Sequence, residues 1–303
     1  MRVAVTGSSG LIGSALVRAL EARGDEVVRF VRPSSVATQG TIVRWNPHAG
    51  TVSSDDLDHA GTLDAIVHLA GAGIADRRWS PARRREILAS RVESTTLIAS
   101  AVASRPGVTR VVSGSAIGYY GSRGDEVLDE SSTRGNGYLA DVCDAWERAI
   151  APARRAGTTV ATVRTGIVMS ATGGALRRQL PLFRAGVGGR LGDGRQWLSP
   201  ISLDDEVSAL LWLMDQGLDG TFNLVAPTPV TNRDFTKTLG RLVRRPALAP
   251  VPRAALALVL GRDLADEAVL ASQRVVPRAL TESGFAFRHP DLDAILTSAL
   301  TAR

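Results

Sequence analysis

The sequence predicts an α/β fold, a doubly wound and mainly parallel sheet followed by a smaller, mainly helical C-terminal region. Two observations indicate the sheet. A β-branched run, residues 2–6, leads directly into a glycine-rich loop, and strand-like and helix-like segments then alternate as far as residue 168. A third observation marks the C-terminal region, because the pattern after residue 227 is mostly helical and is broken by prolines.

The elements follow from periodicity and from turn residues. After the glycine loop, apolar positions from Leu11 to Leu20 recur with helical spacing, and Gly24 supplies a stop. The remaining segments predict strands at 26–31, 41–45, 64–69, 108–113, 159–164 and 221–225, and helices at 81–103, 138–155 and 204–216. Residues 173–199 hold seven glycines and five arginines and predict a long irregular segment. We therefore expect a core of residues 1–168, completed by about 200–228, and a C-terminal region of residues 169–199 and 229–303.

Composition narrows the class of protein. A chain of 303 residues that is 44% hydrophobic can bury a full core. No apolar run approaches the roughly 20 residues that span a bilayer, and the segment before the glycine loop is too short for an export signal, so we expect a cytoplasmic protein with no membrane partner. Cys143 is the only cysteine, which excludes an internal disulfide and argues against a metal site. The net charge of +6 is spread along the chain without a basic, aromatic-rich block, so no nucleic-acid partner is expected.

The loop at residues 7–13 has the glycine spacing of a dinucleotide-binding site. Gly7 permits the tight turn, Gly10 lets the backbone approach a pyrophosphate, and Gly13 allows the helix to pack closely on the strand. The free N–H groups at the start of the helix would face the phosphates. Cofactor contacts are expected from Gly7, Ser9, Gly10, Leu11, Ile12 and Gly13; the alternative is a strand-to-helix turn without a ligand.

The end of the second strand indicates which dinucleotide binds. A site for NAD usually places an acidic residue there, but this strand ends with Val31 and Arg32, followed by Ser34 and Ser35. The guanidinium of Arg32 suits a 2′-phosphate, which favours NADP(H) over the alternative of an exposed arginine beside a loop. The small residues Leu69, Ala70 and Gly71 should line the adenosine and pyrophosphate side, and Val168 should lie near the nicotinamide.

Together these motifs resemble the extended short-chain dehydrogenase/reductase (epimerase/dehydratase) superfamily, which has a Rossmann-type fold. The resemblance rests on residues 6–13, 64–71 and 198–205. Residues 75–79, 115–121, 164–168, 192–197 and 273–277 are similar to an atypical branch, the sugar-nucleotide-epimerase-like (SulA-like) family, which has its own small C-terminal domain. The similarity runs from Met1 to about Asp293. It implies an NADP(H)-dependent oxidoreductase or epimerase-like enzyme whose substrate is not established.

The catalytic pattern of the superfamily is broken in this chain. Its members use a Tyr and a Lys four residues apart on one helix, and the best alignment places Leu139 and Cys143 at these positions. Three candidates remain. Ser115 matches a serine of the superfamily that binds the substrate oxygen; the alternative is a hydroxyl that caps the backbone. Tyr138 lies one residue before the usual Tyr and could reach the site as proton donor; the alternative is an interfacial aromatic. Cys143 could act as a thiol acid, or it is a small buried hydrophobe.

Two charged residues of the predicted helix 81–103 are further candidates for the cofactor site. Arg91 would fix the cofactor or stabilise an oxyanion. Glu86 would contact the same end of the cofactor, or it is simply an exposed helical residue. His68 falls in a buried strand and is interpreted as a core histidine.

The substrate region is predicted from aromatic and basic residues. Tyr120 should shape the pocket, while Arg195 suits a phosphate and Trp197 a ring, unless their segment is an ordered surface loop. These residues predict a small polar or phosphate-bearing substrate for the enzyme. The alternative function is a catalytically inactive NADP(H)-binding regulatory or scaffold protein, which the missing Tyr–Lys pair favours.

Overall fold

The computed structural model describes residues 1–33, 40–104 and 107–301. The strands are β1 (Arg2–Thr6), β2 (Glu26–Val31), β3 (Thr41–Asn46), β4 (Thr51–Val52), β5 (Ala65–His68), β6 (Arg110–Ala116), β7 (Val127–Leu128), β8 (Thr159–Thr165), β9 (Ile167–Met169), β10 (Trp197–Leu198), β11 (Pro200–Ser202), β12 (Gly220–Leu224), β13 (Val230–Thr231) and β14 (Arg274–Val275). The helices are α1 (Leu11–Ala22), α2 (Ser54–Ala60), α3 (Pro81–Ser104), α4 (Tyr138–Ala149), α5 (Ala151–Arg155), α6 (Gly174–Arg184), α7 (Leu203–Gln216), α8 (Asn232–Leu242), α9 (Arg253–Leu260), α10 (Arg262–Leu264), α11 (Arg278–Glu282) and α12 (Leu292–Thr301). A 3₁₀ turn, Ile117–Tyr120, follows β6, and a π-helical turn, Ala265–Val269, follows α10.

The main sheet has the strand order β12-β8-β6-β5-β1-β2-β3-β4, and its neighbours are parallel except for β3 and β4. This confirms the predicted doubly wound fold. The direction of winding reverses at β1, and in such sheets ligands bind at the carboxyl edge beside the reversal. Thr6 lies opposite both Phe30 and His68, so β1, β2 and β5 end at the same edge.

Both faces of the sheet are covered, as a parallel sheet requires. Along β1, Val3 and Val5 pack into a cluster with α1 and α7, whereas Ala4 packs into a cluster with α3 and α5. The alternation of side chains along a strand produces these two cores.

Two predicted elements differ from the structure. The predicted helix 138–155 is divided at Ile150, because Pro152 opens the second helix, α5. The prediction of an irregular segment was wrong for residues 174–184, which form α6. Its buried positions Leu176, Leu180 and Phe183 have helical spacing, and the glycines lie at its ends rather than inside it.

Part of the C-terminal region lies beyond the carboxyl edge of the main sheet, whereas Leu280 of α11 packs into the cluster of α1 and α7 on one face of the sheet. Strand β11 pairs with β9, which follows β8, and β14 pairs with β7, which follows β6. The division into a core and a covering region at the expected boundaries stays a prediction. Among the described residues, no helix has the length and apolar character that crossing a membrane requires.

Candidate functional site

The glycine loop between β1 and α1 lies against the end of β5. Gly7 has a φ of +67°, and a Cβ there would approach the carbonyl oxygen of Leu69 to 2.8 Å. A Cβ at Gly13 would overlap the carbonyl oxygen of Gly7. The Gly10 N–H donates to the Gly7 carbonyl at 2.9 Å, which closes the turn. Side chains at these positions would therefore separate loop, helix and strand.

The amides at the start of α1 are unpaired. Gly10 occupies the N-cap and has no side chain to accept a hydrogen bond, and the first turn holds no acidic residue. The Ser14 N–H donates to the Gly10 carbonyl at 2.9 Å, whereas the structure gives the amides of Leu11, Ile12 and Gly13 no acceptor among its described residues. Unpaired donors at the positive end of a helix form an anion site.

A buried histidine is hydrogen-bonded to Thr6, the residue directly before this loop. The Thr6 hydroxyl accepts the amides of Leu69 and Ala70 at 3.0 and 3.2 Å, and it lies 2.8 Å from Nδ1 of His68. The other ring nitrogen lies 3.0 Å from the Thr95 hydroxyl on α3. Burial lowers the pKa of His68 to about 3, so the ring is neutral and structural. His68 is a core residue, as the sequence indicated.

The residues predicted to select the dinucleotide lie at the same edge. Val31 ends β2 and is half-buried, and Arg32 follows it with an exposed side chain. No described residue accepts a hydrogen bond from the Arg32 guanidinium. Leu69 and Ala70 are half-buried and Gly71 is exposed, directly after β5. Ser34 and Ser35 lie outside the described residues.

Arg91 of α3 lies beside this edge. Its Nη1 donates to the carbonyls of Ala72 and Ile87 at 3.0 and 3.1 Å, and its guanidinium lies over the ring of Trp146, 5.1 Å from the centroid. It contacts Gly71 closely enough that a Cβ there would be 3.3 Å from its Cζ. Burial lowers the pKa of Arg91, and within the described part of the chain no carboxylate pairs with it. Arg91 therefore offers a cation without an acidic partner.

Glu86 does not share this position. It lies on the exposed face of α3 and forms an ion pair with Arg83 at 2.7 Å, which holds its pKa below the usual range. This pairing favours the alternative of an exposed helical glutamate, and the contact of Glu86 with the cofactor stays a prediction.

A cavity of about 210 Å³ opens where β6 and β8 end. Most of its lining is apolar, and the polar side chains in it come from five different segments. The lining residues are Ile74, Arg91, Ala116, Ile117, Gly118, Leu139, Val142, Cys143, Trp146, Thr165, Gly166, Ile167, Trp197, Leu198, Ser199, Glu267, Ala268, Ala271 and Gln273. Residues 165–167 reach the cavity, whereas the predicted Val168 is buried just beyond it.

Ser115 and Tyr138 do not line the cavity. Ser115 is buried and donates to Oε1 of Glu147 at 2.6 Å, because the strand turns Ala116 rather than Ser115 toward the cavity. The hydroxyl of Tyr138 donates to the carbonyl of Arg84, and its ring packs edge-on against Trp79. Both hydroxyls would have to exchange these partners to bind a substrate or to transfer a proton, and the two predicted roles stay predictions.

Cys143 lines the cavity, at the position where the superfamily has its Lys. Burial raises the pKa of its thiol to about 12, so the group stays protonated at neutral pH and is a weak acid. Its surroundings agree better with a small apolar wall residue than with a proton donor.

Tyr120 is fully buried and therefore out of direct reach of a substrate, and its role in shaping the pocket stays a prediction. Its hydroxyl donates to Oδ1 of Asn223 at 2.8 Å and accepts from Nη1 of Arg164 at 3.0 Å. Arg164 also pairs through two nitrogens with Glu147, both at 2.8 Å. This network braces the 3₁₀ turn that forms one wall of the cavity.

The two predicted substrate residues at and just before the start of β10, Trp197 and Arg195, differ in placement. Trp197 lines the cavity; its Nε1 donates to Asp125 at 2.7 Å and Arg274 lies over its ring. Arg195 is exposed, and its side chain has no partner among the described residues.

Sequence reasoning missed several polar residues of the cavity, Thr165, Ser199, Glu267 and Gln273. Oε2 of Glu267, in the π-helical turn, accepts the amide of Leu139 at the start of α4 at 2.8 Å. Gln273 donates to the carbonyl of Ile117 at 2.9 Å. Gln273 stands in a segment that carried the family resemblance, but nothing in the spacing of the sequence connects Glu267 with α4.

Comparisons with known proteins agree with this geometry. Residues 3–224 match the NAD dependent epimerase/dehydratase family, and residues 251–299 match a domain of unknown function, DUF1731. An epimerase family protein of Mycobacterium bovis, Mb2239, is 44% identical over 99% of this chain and 97% of its own length. The crystal structure of the human epimerase family protein SDR39U1 (isoform2) with NADPH is 32% identical, covers 99% of this chain and 100% of that one, and superposes with a TM-score of 0.88. The chain belongs to the NAD dependent epimerase/dehydratase family, as an atypical short-chain dehydrogenase/reductase.

Proposed function

We propose that this chain binds NADP(H) at the glycine loop and acts as an NADP(H)-dependent oxidoreductase or epimerase-like enzyme on a small molecule. The observation that carries the proposal is the row of three amides, at Leu11, Ile12 and Gly13, that find no acceptor among the described residues, beside a loop whose Gly7 and Gly13 admit no side chain. A pyrophosphate fits this cradle because it is an anion and needs close approach to the backbone.

The preference for the 2′-phosphate rests on Arg32. Its guanidinium is exposed and has no partner in the described part of the chain, at the end of β2 where a site for NAD would carry an acid. The human relative, whose crystal structure was determined with NADPH, supports the same choice.

The nicotinamide end is assigned to the cavity beside Arg91. When bound, the nicotinamide supplies or accepts a hydride. The residues of the chain bind the nicotinamide end and exclude water. Arg91 offers N–H donors near Gly71, and the apolar lining keeps water from the ends of β6 and β8.

The substrate is proposed to enter past Trp197. Its ring forms one wall of the cavity, and exposed Arg195, two residues earlier, is available for a phosphate or another anion. We therefore keep a small polar or phosphate-bearing substrate in the proposal, with a cytoplasmic location.

A second candidate is a catalytically inactive NADP(H)-binding regulatory or scaffold protein. The observation that favours it lies on α4, where Leu139 and Cys143 face the cavity at the positions of the superfamily's Tyr and Lys.

The two candidates are distinguished by an assay of NADPH oxidation with a panel of small carbonyl compounds and nucleotide sugars. Oxidation is measured as loss of the nicotinamide absorbance. Turnover with at least one compound is the expected result. Saturable NADPH binding without oxidation by any compound would favour the inactive binder, and absence of binding would overturn both.

A further inference from the structure

Glu267 is the only acidic residue among the described residues that line the cavity. It comes from the C-terminal π-helical turn, and its Oε2 is held by the amide of Leu139. The other carboxylate oxygen, Oε1, has no partner among the described residues. A carboxylate fixed through one oxygen in a largely apolar cavity needs a donor for the other.

A second lining residue also has an unused polar group. Trp146 is 7% exposed, and its Nε1–H has no acceptor within the described part of the chain. An unpaired N–H of this kind costs free energy unless a ligand or water accepts from it. The cavity therefore presents an unused acceptor on Glu267, as expected for a site that receives a hydroxyl compound, whereas the Trp146 N–H is covered within the wall.

The charged and titratable groups near Glu267 are on α4, on α3 and on the turn itself, and some of them pair with residues of α9 and α10. On α4 these are Tyr138, whose hydroxyl is bonded to the carbonyl of Arg84, and Cys143, which burial keeps protonated. On α3 they are Arg91 and Arg84, and Arg84 pairs with Asp263. On the turn itself, Asp266 pairs with Arg253 at 2.8 Å. Of the two acids on this turn, Glu267 is the one that lines the cavity.

We propose that Glu267 is the acid–base residue of the cavity and exchanges a proton through Oε1 with the hydroxyl or carbonyl oxygen of a small substrate. The proposal deepens the proposed function and rests on it, because the hydride part of the reaction belongs to the nicotinamide. In the direction of oxidation, the substrate O–H bond breaks and its proton forms the Oε1–H bond. The electron pair of that bond forms the second carbon–oxygen bond of the carbonyl, while the hydride of the adjacent C–H bond leaves to the NADP⁺ of the proposed function. In reduction the same proton returns to that oxygen.

This assignment accounts for the broken catalytic pattern. The carboxylate is anchored on the amide of Leu139, the residue that stands at the position of the superfamily's Tyr. A group from the C-terminal region would then perform the proton transfer that α4 lacks.

The test uses 4-nitrophenol, a small hydroxyl compound that changes colour when it ionises near neutral pH. It is titrated spectroscopically when bound to the full chain in the presence of saturating NADP⁺, whose binding is measured separately by calorimetry. The variants are Glu267→Gln, whose amide oxygen can still accept the Leu139 N–H, and Asp266→Asn as the matched control on the outer side of the same turn. Thermal unfolding of both variants reports any structural damage.

The wild-type chain and Asp266→Asn should hold the dye as the neutral phenol, because its O–H donates to the carboxylate and a phenolate would be repelled. We expect the apparent pKa of the bound dye to be raised by about one unit or more, and Glu267→Gln to abolish this increase. Equal titration curves for wild type and Glu267→Gln, or no dye binding to the wild type, would overturn the inference while leaving NADP⁺ binding intact. Absence of NADP⁺ binding would instead contradict the proposed function.

Discussion

Arg32 is the residue at which the two pyridine nucleotides should be distinguished. Replacement by Ala removes a charge-assisted hydrogen bond to the 2′-phosphate, so the Kd for NADPH should rise by roughly ten- to a hundredfold. The Kd for NADH should stay the same. Titration calorimetry with both nucleotides measures the difference. Arg155→Ala, at the opposite edge of the sheet, is the control, and an unchanged affinity of Arg32→Ala for NADPH would contradict the assignment.

Glu206 should make stability depend on pH. Its carboxyl is fully buried behind Thr165, which donates to Oε1 at 2.8 Å, and Oε2 has no partner among the described residues. Burial raises the pKa of Glu206 from 4.5 to about 8. The folded chain therefore keeps a proton that the unfolded chain releases, and the contribution of Glu206 to stability falls as pH rises from about 4.5 to about 8.

The prediction is checked by urea unfolding at several pH values in that window. Glu206→Gln is neutral throughout, so its free energy of unfolding should decrease less between pH 5.5 and 8 than that of the wild type. Glu282→Gln, an exposed residue of α11, should follow the wild-type curve. Parallel curves for wild type and Glu206→Gln would show that the buried carboxyl does not titrate as described.

At the scale of elements, the start of α1 depends on the absence of a side chain at Gly13. A Cβ there overlaps the carbonyl of Gly7, whereas at Gly10 it would lie 3.2 Å from the same atom. Gly13→Ala should therefore cost about 1–3 kcal/mol of stability, shift the amide cradle and weaken NADPH binding. Gly10→Ala should have a smaller effect on stability. Chemical denaturation and calorimetry of the two variants check the order, and equal effects would contradict it.

Prediction from sequence succeeded best where local signals and packing agree. The glycine loop and the strands around it carry turn chemistry, β-branched runs and helical periodicity that indicate the same fold, and β1 and β2 were predicted at their observed bounds. Helix α6 was missed because glycine and arginine dominate the composition of its segment. The three buried positions that form the helix pack against α8 and α12, which lie far away in the sequence.

At the scale of the whole molecule, core and C-terminal region should unfold together. Leu280 of α11 and Phe285 belong to the same buried cluster as Val163 of the main sheet. Calorimetry should therefore show one transition, and NADPH at about 100 times its Kd should stabilise the whole chain by about 2.7 kcal/mol. Two separate transitions, with NADPH raising only one of them, would contradict this coupling.

The arrangement of the whole molecule explains why the cofactor site was easier to predict from the sequence than the cavity. The cofactor loop is a continuous stretch of sequence, so spacing alone located Gly7, Gly10 and Gly13. The cavity joins Arg91, Cys143 and Trp197 to Glu267 and Gln273, which come from separate segments and meet only in the folded chain. No local pattern indicated that the hydroxyls of Ser115 and Tyr138 are bonded elsewhere.

The central claim, that the amides at the start of α1 bind the pyrophosphate of NADP(H), is tested most directly by the structure of crystals of this chain grown with NADPH. The account predicts pyrophosphate oxygens within hydrogen-bond distance of the amides of Leu11, Ile12 or Gly13, and the 2′-phosphate beside Arg32. A nucleotide bound elsewhere, or a cradle filled by the chain's own side chains while NADPH saturates the protein, would contradict it.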